Sequence, residues 1–236
     1  MNAVDPAERP AVRYDGHAEW YDEHLAVRSG ERVRSPLARL LGTGPGRCLD
    51  LCCGTGIHLG ALSDLGWSVT GLDLSADQLR VARRRTPDGR VRLVQGDAMR
   101  MPFPDGSFDA VVSFFSHTDV DDFPALVRET ARVLRAGGAF VYIGLHPCFV
   151  GPHSLEKDRD VPLLHPGYRA AGRFTRGPGI SPDGLWARVS GNHLPLASVI
   201  QPLLDSGFAL ERFEEHGDED YPRRIALRTL RAARRG

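Results

Sequence analysis

The chain has almost no lysine, no net charge and no long apolar run. Of its 30 basic residues only Lys157 is a lysine, and arginine supplies the rest. That usage follows codon bias toward GC-rich DNA and fits a bacterial source. The 30 acidic residues balance the 30 basic ones, so the formal charge is zero. A nucleic-acid binder needs a basic stripe; none is visible, and no nucleic-acid partner is expected. Arg83, Arg84 and Arg85, and the set Arg228, Arg231, Arg234 and Arg235, read as a solvated helix face and a tail. No apolar stretch approaches the ~18 residues of a membrane span, and residues 1–13 lack the apolar core of a signal peptide. A cytoplasmic protein without a membrane partner is expected. The four cysteines, Cys48, Cys52, Cys53 and Cys148, form no C-x-x-C pair. This argues against a zinc ribbon, a redox motif or a disulfide framework, and a reducing compartment fits. Three of them lie on or beside one apolar strand and serve as small apolar residues.

A length of 236 residues suits a single domain with modest additions. Residues 1–12 read as disordered. Residues 14–27 carry a loose helical stripe, and 32–42 a second short helix ending near Gly42. From there strands and helices alternate. Strands are expected at 47–51, 67–73, 91–94, 108–114 and 139–144. Helices are expected at 57–65, from a Ser75 cap to about 85, and over 124–134, with Gly137-Gly138 as its stop signal. Residues 145–195 break the rhythm and are rich in Gly, Pro and His. A helix over 196–206 and two strands, 208–213 and 224–228, close the chain as an antiparallel hairpin. Alternation with continuous apolar strands predicts an α/β fold: a doubly wound, seven-stranded, mostly parallel sheet with helices on both faces.

The segment Leu49-Asp50-Leu51-Cys52-Cys53-Gly54-Thr55-Gly56 follows a strand and opens a helix. Glycines there permit a tight turn and close ligand approach, and the helix start presents unpaired N–H groups. Asp73, nineteen residues past Gly54 at the end of the next strand, can accept hydrogen bonds from ribose hydroxyls. A dinucleotide site would need a third glycine where Leu59 stands. Asp50, just before the turn, would repel a pyrophosphate and welcome the ammonium or sulfonium of S-adenosylmethionine.

The segment thus resembles the first motif of class I methyltransferases, acid-x-G-x-G-x-G, through Asp50, Gly54 and Gly56, with Cys52 in place of the first glycine. Gln95-Gly96-Asp97-Ala98 resembles the motif after the third strand. The segments 101–109 and 134–138 are similar to the approaches to the fourth and fifth strands. The resemblance implies a Rossmann-like fold and S-adenosylmethionine as cofactor. It implies that Asp73 meets the ribose, that Asp97 meets the adenine amino group, and that Tyr21 and Tyr14 of an N-terminal helix approach the methionine end. Cys52, Leu74, Ala98 and Phe114 join them as cofactor-binding candidates. Residues 1–42 then form a helical lid and 145–195 a substrate-covering insertion within one domain.

Ligands of open α/β sheets bind beyond the carboxyl ends of the strands. There lie Phe114 to Asp119 and Leu145 to Phe149, roofed by an insertion holding His146, His153, His165, Tyr168, Phe174, Trp186 and His193. Apolar rings with a few polar groups suit a small organic acceptor, and a secondary metabolite fits. Methyl transfer to a hydroxyl or ammonium needs a proton acceptor, for which His117, His193 and His146 are the candidates, in that order. For an amine acceptor, positioning without a base is the alternative. No Asn-Pro-Pro-Tyr tetrad follows the fourth strand, no Pro-Cys nucleophile sits there, and no acid cluster for a metal is apparent. Methylation of RNA or protein, and a donor-binding protein without transfer activity, stay open, as does a monomer or a homodimer.

Overall fold

The computed structural model describes residues 12–87, 89–158, 161–217 and 220–232. The disorder expected over 1–12 falls, but for Val12, outside these residues, as do Arg234 and Arg235. In chain order the strands are β1 (Arg47–Leu51), β2 (Ser68–Asp73), β3 (Arg92–Gln95), β4 (Phe108–Phe114) and β5 (Leu134–Leu145). Four short strands follow: β6 (Ser154–Asp158), β7 (Val161–Leu164), β8 (Gly172–Phe174) and β9 (Gly191–His193). β10 (Phe208–His216) and β11 (Arg224–Arg231) come last. Seven strands form one sheet in the order β10-β11-β5-β4-β1-β2-β3. The five from β3 to β5 are parallel, whereas β11 runs antiparallel to both β5 and β10. The strand order reverses between β1 and β4. A crevice opens at such a point, beyond the carboxyl ends of the strands.

The helices are α1 (Ala18–Tyr21), α2 (Val27–Leu41), α3 (Leu59–Asp64), α4 (Ala76–Arg85), α5 (Phe123–Val133), α6 (Leu185–Val189) and α7 (Leu196–Asp205). Successive strand residues point to opposite faces, and the core divides accordingly. Leu49 and Leu51 of β1, Val111 of β4, and Phe140 and Tyr142 of β5 pack under α5 and α7. Cys48, Ala110, Val112, Val141 and Ile143 face α2, α3 and α4. Residues buried on both sides of the sheet make these strands continuously apolar in sequence.

Three local expectations need correction. The two N-terminal helices are one helical run, because a π-helical turn (Asp22–Ala26) joins α1 to α2 without a break. Gly137-Gly138 does not end a helix. α5 stops at Val133, Leu134 is already extended, and the glycines lie inside β5, beside a register shift against β4. Gly137 takes φ +71°, and a Cβ on Gly138 would stand 2.9 Å from the Arg135 carbonyl oxygen. The irregular stretch 145–195 holds ordered pieces: the β6–β7 hairpin, α6, and β8 paired antiparallel with β9.

Candidate active site

The turn after β1 is built on left-handed backbone. Cys52 has φ +61°, Gly54 +54° and Gly56 +77°. Cys52 therefore meets the conformational demand of a glycine with a side chain attached, at a strain on the order of 1 kcal/mol. A Cβ on Gly56 would lie 2.8 Å from Leu59 Cδ1 and 2.9 Å from the Ala82 Cβ. Its bareness lets the turn pack against α4. The Gly54 N–H donates to Asp73 Oδ2 at 2.8 Å, and the Ser75 N–H donates to Asp73 Oδ1 at 2.9 Å. One carboxylate thus joins the turn after β1 to the turn after β2. Burial raises the Asp73 pKa, opposed by these N–H donors.

A first cavity lies over these turns. Nine of the eleven cofactor-binding candidates line it: Tyr14 and Tyr21 from the N-terminal segment, Cys52 and Gly54 after β1, Asp73 and Leu74 after β2, Asp97 and Ala98 after β3, and Phe114 at the end of β4. Gly56 does not line it, for the packing reason above. Asp50 does not either. It is fully buried behind the turn, and both of its oxygens lack a hydrogen-bond partner. Burial, and then the Asp73 charge, push its pKa well up, so the expected carboxylate facing a cation is a buried acid whose neutral form is favoured. The Gln78 amide, Thr55 Oγ1 and Arg13 Nη1 are likewise buried without partners, and Arg13 and Gln78 line the cavity. Buried polar groups are costly to leave unpaired. A polar ligand with amino-acid and ribose groups fits this donor set.

A second cavity of about 420 Å³ adjoins the first, a size within the range of small-molecule sites. The two share a wall made of Tyr14, Tyr21, Phe115 and Asp119. The Tyr14 and Tyr21 rings meet edge to face, with centroids 5.6 Å apart. Phe115 is held at φ +59°. The Tyr14 hydroxyl donates to Asp119 Oδ1 at 2.9 Å. Burial lifts Asp119 from its ordinary 3.8 to about 6, against the pull of the Tyr14 hydrogen bond and the Arg13 charge. From the 145–195 segment the second cavity takes Leu145, Val150, Ile180 and Trp186 among others; His153, His165, Tyr168 and Phe174 are not on its wall.

The three candidate histidines line neither cavity. His117 is buried in the helical turn after β4 and shares a hydrogen bond between Nδ1 and the Tyr142 hydroxyl of β5. Burial, then His193, lowers its pKa to about 3, so it stays neutral. His146 accepts from the Cys148 N–H at Nδ1, and its Nε2 then donates to Glu215 Oε1 at 2.7 Å. His193 Nε2 donates to the Tyr168 carbonyl at 2.7 Å. Each ring is engaged by its own neighbours behind the cavity walls. Sequence reasoning passed over Asp119, Arg13 and Gln78. Asp119 stood in the segment after β4 already expected at the pocket, and its place there was the available signal. Arg13 and Gln78 carry none without the fold.

Comparison with known proteins finds similarity to methyltransferases. A methyltransferase domain model matches residues 49–142. A demethylmenaquinone methyltransferase of Renibacterium salmoninarum is 36% identical over 160 residues, 64% of this chain and 66% of that protein. A second, of Bacillus licheniformis, is 34% identical over 134 residues, 55% of this chain and 53% of that protein. The chain spans between half and two thirds of the length of these curated relatives. The crystal structure of an S-adenosylmethionine-dependent methyltransferase from Mesorhizobium loti superposes with a TM-score of 0.69 at 26% identity, over 92% of this chain and 99% of that one.

Proposed function

We propose that this chain is a class I S-adenosylmethionine-dependent methyltransferase and that it carries a methyl group from S-adenosylmethionine to an oxygen or nitrogen of a small organic molecule, a reading supported by the methyltransferase domain match and the fold. The observation that carries the reading is the pair of adjoining cavities, one lined by the Asp73–Asp97 turns and one by apolar rings, meeting at Tyr14, Tyr21, Phe115 and Asp119.

The bound donor supplies a methyl group already activated on a sulfonium. The chain's own residues hold and align it. Asp73 has lone pairs beyond those used by Gly54 and Ser75 and takes the ribose hydroxyls. Asp97, tied down by the Met99 N–H at 2.8 Å, takes the adenine amino group, with Ala98, Leu74 and Phe114 as apolar walls. Tyr14 and Tyr21 close over the methionine end, where the Arg13 guanidinium meets a carboxylate. Cys52 and Gly54 form the turn the donor lies on. The described part of the segment up to residue 42 acts as a lid. Its near end is fastened to α4, with Asp15 accepting from Ser75 Oγ at 2.6 Å and Glu19 pairing with Arg80 and Arg84. The 145–195 segment covers the acceptor. Holding both reactants in line, away from water, accounts for much of the rate such an enzyme needs.

The relatives named for demethylmenaquinone favour a flat ring as acceptor, and Tyr14, Tyr21, Phe115 and Trp186 supply ring-sized walls for one. Titration calorimetry with S-adenosylmethionine and S-adenosylhomocysteine tests the donor. Affinity for both is expected, lost at least tenfold in Asp73→Ala. Labelled donor offered with pooled phenols, amines and quinones tests transfer. Folded protein that binds neither adenosyl ligand would overturn the reading.

A further inference from the structure

We propose that the Asp119 carboxylate, held by the Tyr14 hydroxyl at the opening between the two cavities, is where the acceptor's proton goes during methyl transfer. This rests on the methyltransferase reading above and gives the proton a destination on the wall that the methyl group crosses, which none of the three candidate histidines lines.

Among the described residues, Asp119 is one of four on the wall common to both cavities, beside Tyr14, Tyr21 and Phe115. The methyl group must cross that wall. Of the four, Asp119 alone carries an acid that ionises near neutral pH. Tyr14 occupies Oδ1 from the N-terminal segment, which fixes the carboxylate on the wall of both cavities. As the acceptor's oxygen or nitrogen bonds to the methyl carbon, the carbon–sulfur bond breaks and its electron pair leaves on sulfur. The acceptor's proton passes to Asp119, and charge balances without any further reactant. The product then leaves with S-adenosylhomocysteine, and Asp119 returns its proton to solvent through the open second cavity.

The surroundings hold this carboxylate near the working range of a general base. Burial and the Asp73 charge oppose ionisation, while Tyr14, Arg13 and Thr118 favour it, giving a value of about 6. Tyr21 faces the carboxylate from the same segment as Tyr14, and its own ionisation is suppressed by burial and by Asp119. Cys52 stands on the donor side and Tyr142 behind, both pushed up by burial. Arg223 and Arg224 look across the second cavity. A sulfonium beside Asp119 stabilises its charged form.

That coupling gives a test that needs no turnover. Binding of S-adenosylmethionine at pH 6 is followed calorimetrically in buffers of different ionisation enthalpy. Wild type is expected to release up to about half a proton on binding S-adenosylmethionine and clearly less on binding S-adenosylhomocysteine, whose sulfur is uncharged. Asp119→Asn should bind both and abolish the difference. Tyr14→Phe, which removes a hydrogen bond favouring the carboxylate, should move the pH of greatest release upward. Equal proton release in wild type and Asp119→Asn overturns the proposal. On any phenol or amine that wild type methylates, kcat/KM for S-adenosylmethionine should fall below about pH 6, with the kcat limb lying lower because the bound sulfonium favours the carboxylate, and Asp119→Asn should lose at least ~100-fold in kcat together with that acidic limb; an unchanged limb also overturns it. Failure of wild type to bind either adenosyl ligand counts against the methyltransferase reading instead. Binding without any methylated phenol or amine counts against the acceptor class, while the calorimetric comparison still decides the placement of Asp119.

Discussion

Asp73 and Gly54 stand nineteen residues apart and are joined directly, the Gly54 N–H donating to Asp73 Oδ2 at 2.8 Å. The other oxygen of the same carboxylate caps the approach to α4 through Ser75. The residue proposed to hold the ribose therefore also holds two loops in register, and substituting it disturbs both.

Asp73→Ala is expected to lower donor affinity at least tenfold, ~1.4 kcal/mol, and to lower stability as well, because two N–H groups lose a carboxylate acceptor. Asp73→Asn keeps one oxygen acceptor and should recover part of the stability but little of the affinity. Urea unfolding and calorimetry on both variants separate the effects. Equal recovery of both would make Asp73 a loop brace and no more.

Cys52→Gly relieves a left-handed side chain, worth on the order of 1 kcal/mol, but adds backbone freedom to the unfolded chain of similar size. Near-neutral stability and retained donor binding are expected. Cys52→Val puts a branched Cβ at φ +61° and on the cavity wall, so both stability and donor affinity should fall. Denaturant midpoints and donor titrations of the two variants check this. Tolerance of valine would show that the turn can relax.

The N-terminal segment is pinned to α4 by exposed charges. Glu19 pairs with Arg80 and Arg84, and Asp22 pairs with Arg85. Salt screens such pairs. Donor affinity should weaken as ionic strength rises, and Glu19→Gln should bind the donor less tightly while losing much of that salt dependence. Donor titrations at low and high salt decide it. An identical salt slope in both proteins would show that the latch lies elsewhere.

His117 and His58 are buried and held neutral, each lowered to about 3 mainly by burial. Their folded values lie below the ordinary 6.5, so the unfolded chain takes up protons first. Stability is full above pH 6.5 and falls as pH drops from there toward 3, by up to ~1.4 kcal/mol per pH unit for each group. His117→Gln should flatten that fall, although its contact with Tyr142 is lost and stability at pH 8 declines. Thermal unfolding between pH 4 and 8 tests it. An unchanged slope would mean His117 gains a proton without unfolding.

The strands were legible because burial on both faces writes continuous apolar runs such as 108–114. The turns that line the first cavity were legible because tight turns demand glycine, with acids at fixed spacing beside them. Cys52 could be aligned as a substitute, yet only its φ shows that it meets the same demand. Gly137-Gly138 misled because a strand bulge and a helix stop ask the same freedom of the backbone. The histidines misled for a different reason. Residue type suggested proton transfer, but His117, His146 and His193 each met a partner brought from elsewhere in the chain, at Tyr142, Glu215 and Tyr168. Asp119 is defined by Tyr14, 105 residues away, and no local pattern carries that.

Asp119 should cost the fold stability at the pH where it is useful. Its pKa is raised from 3.8 to about 6, first by burial, so the folded state prefers the protonated acid. That contribution is present in full below pH 3.8 and is lost as pH rises through 6. The rise caps the penalty at ~3 kcal/mol, and hydration at its partly exposed edge reduces it to on the order of 1–2 kcal/mol. Asp119→Asn removes the charge while keeping the shape and an acceptor for Tyr14. The variant should therefore melt higher than wild type at pH 8 and at about the same temperature at pH 4. Melting curves of the two proteins across that range are the measurement. A lower melting temperature for the variant at pH 8 would mean that the Tyr14 and Arg13 contacts outweigh the burial of the charge, and that the carboxylate is held as a structural anion.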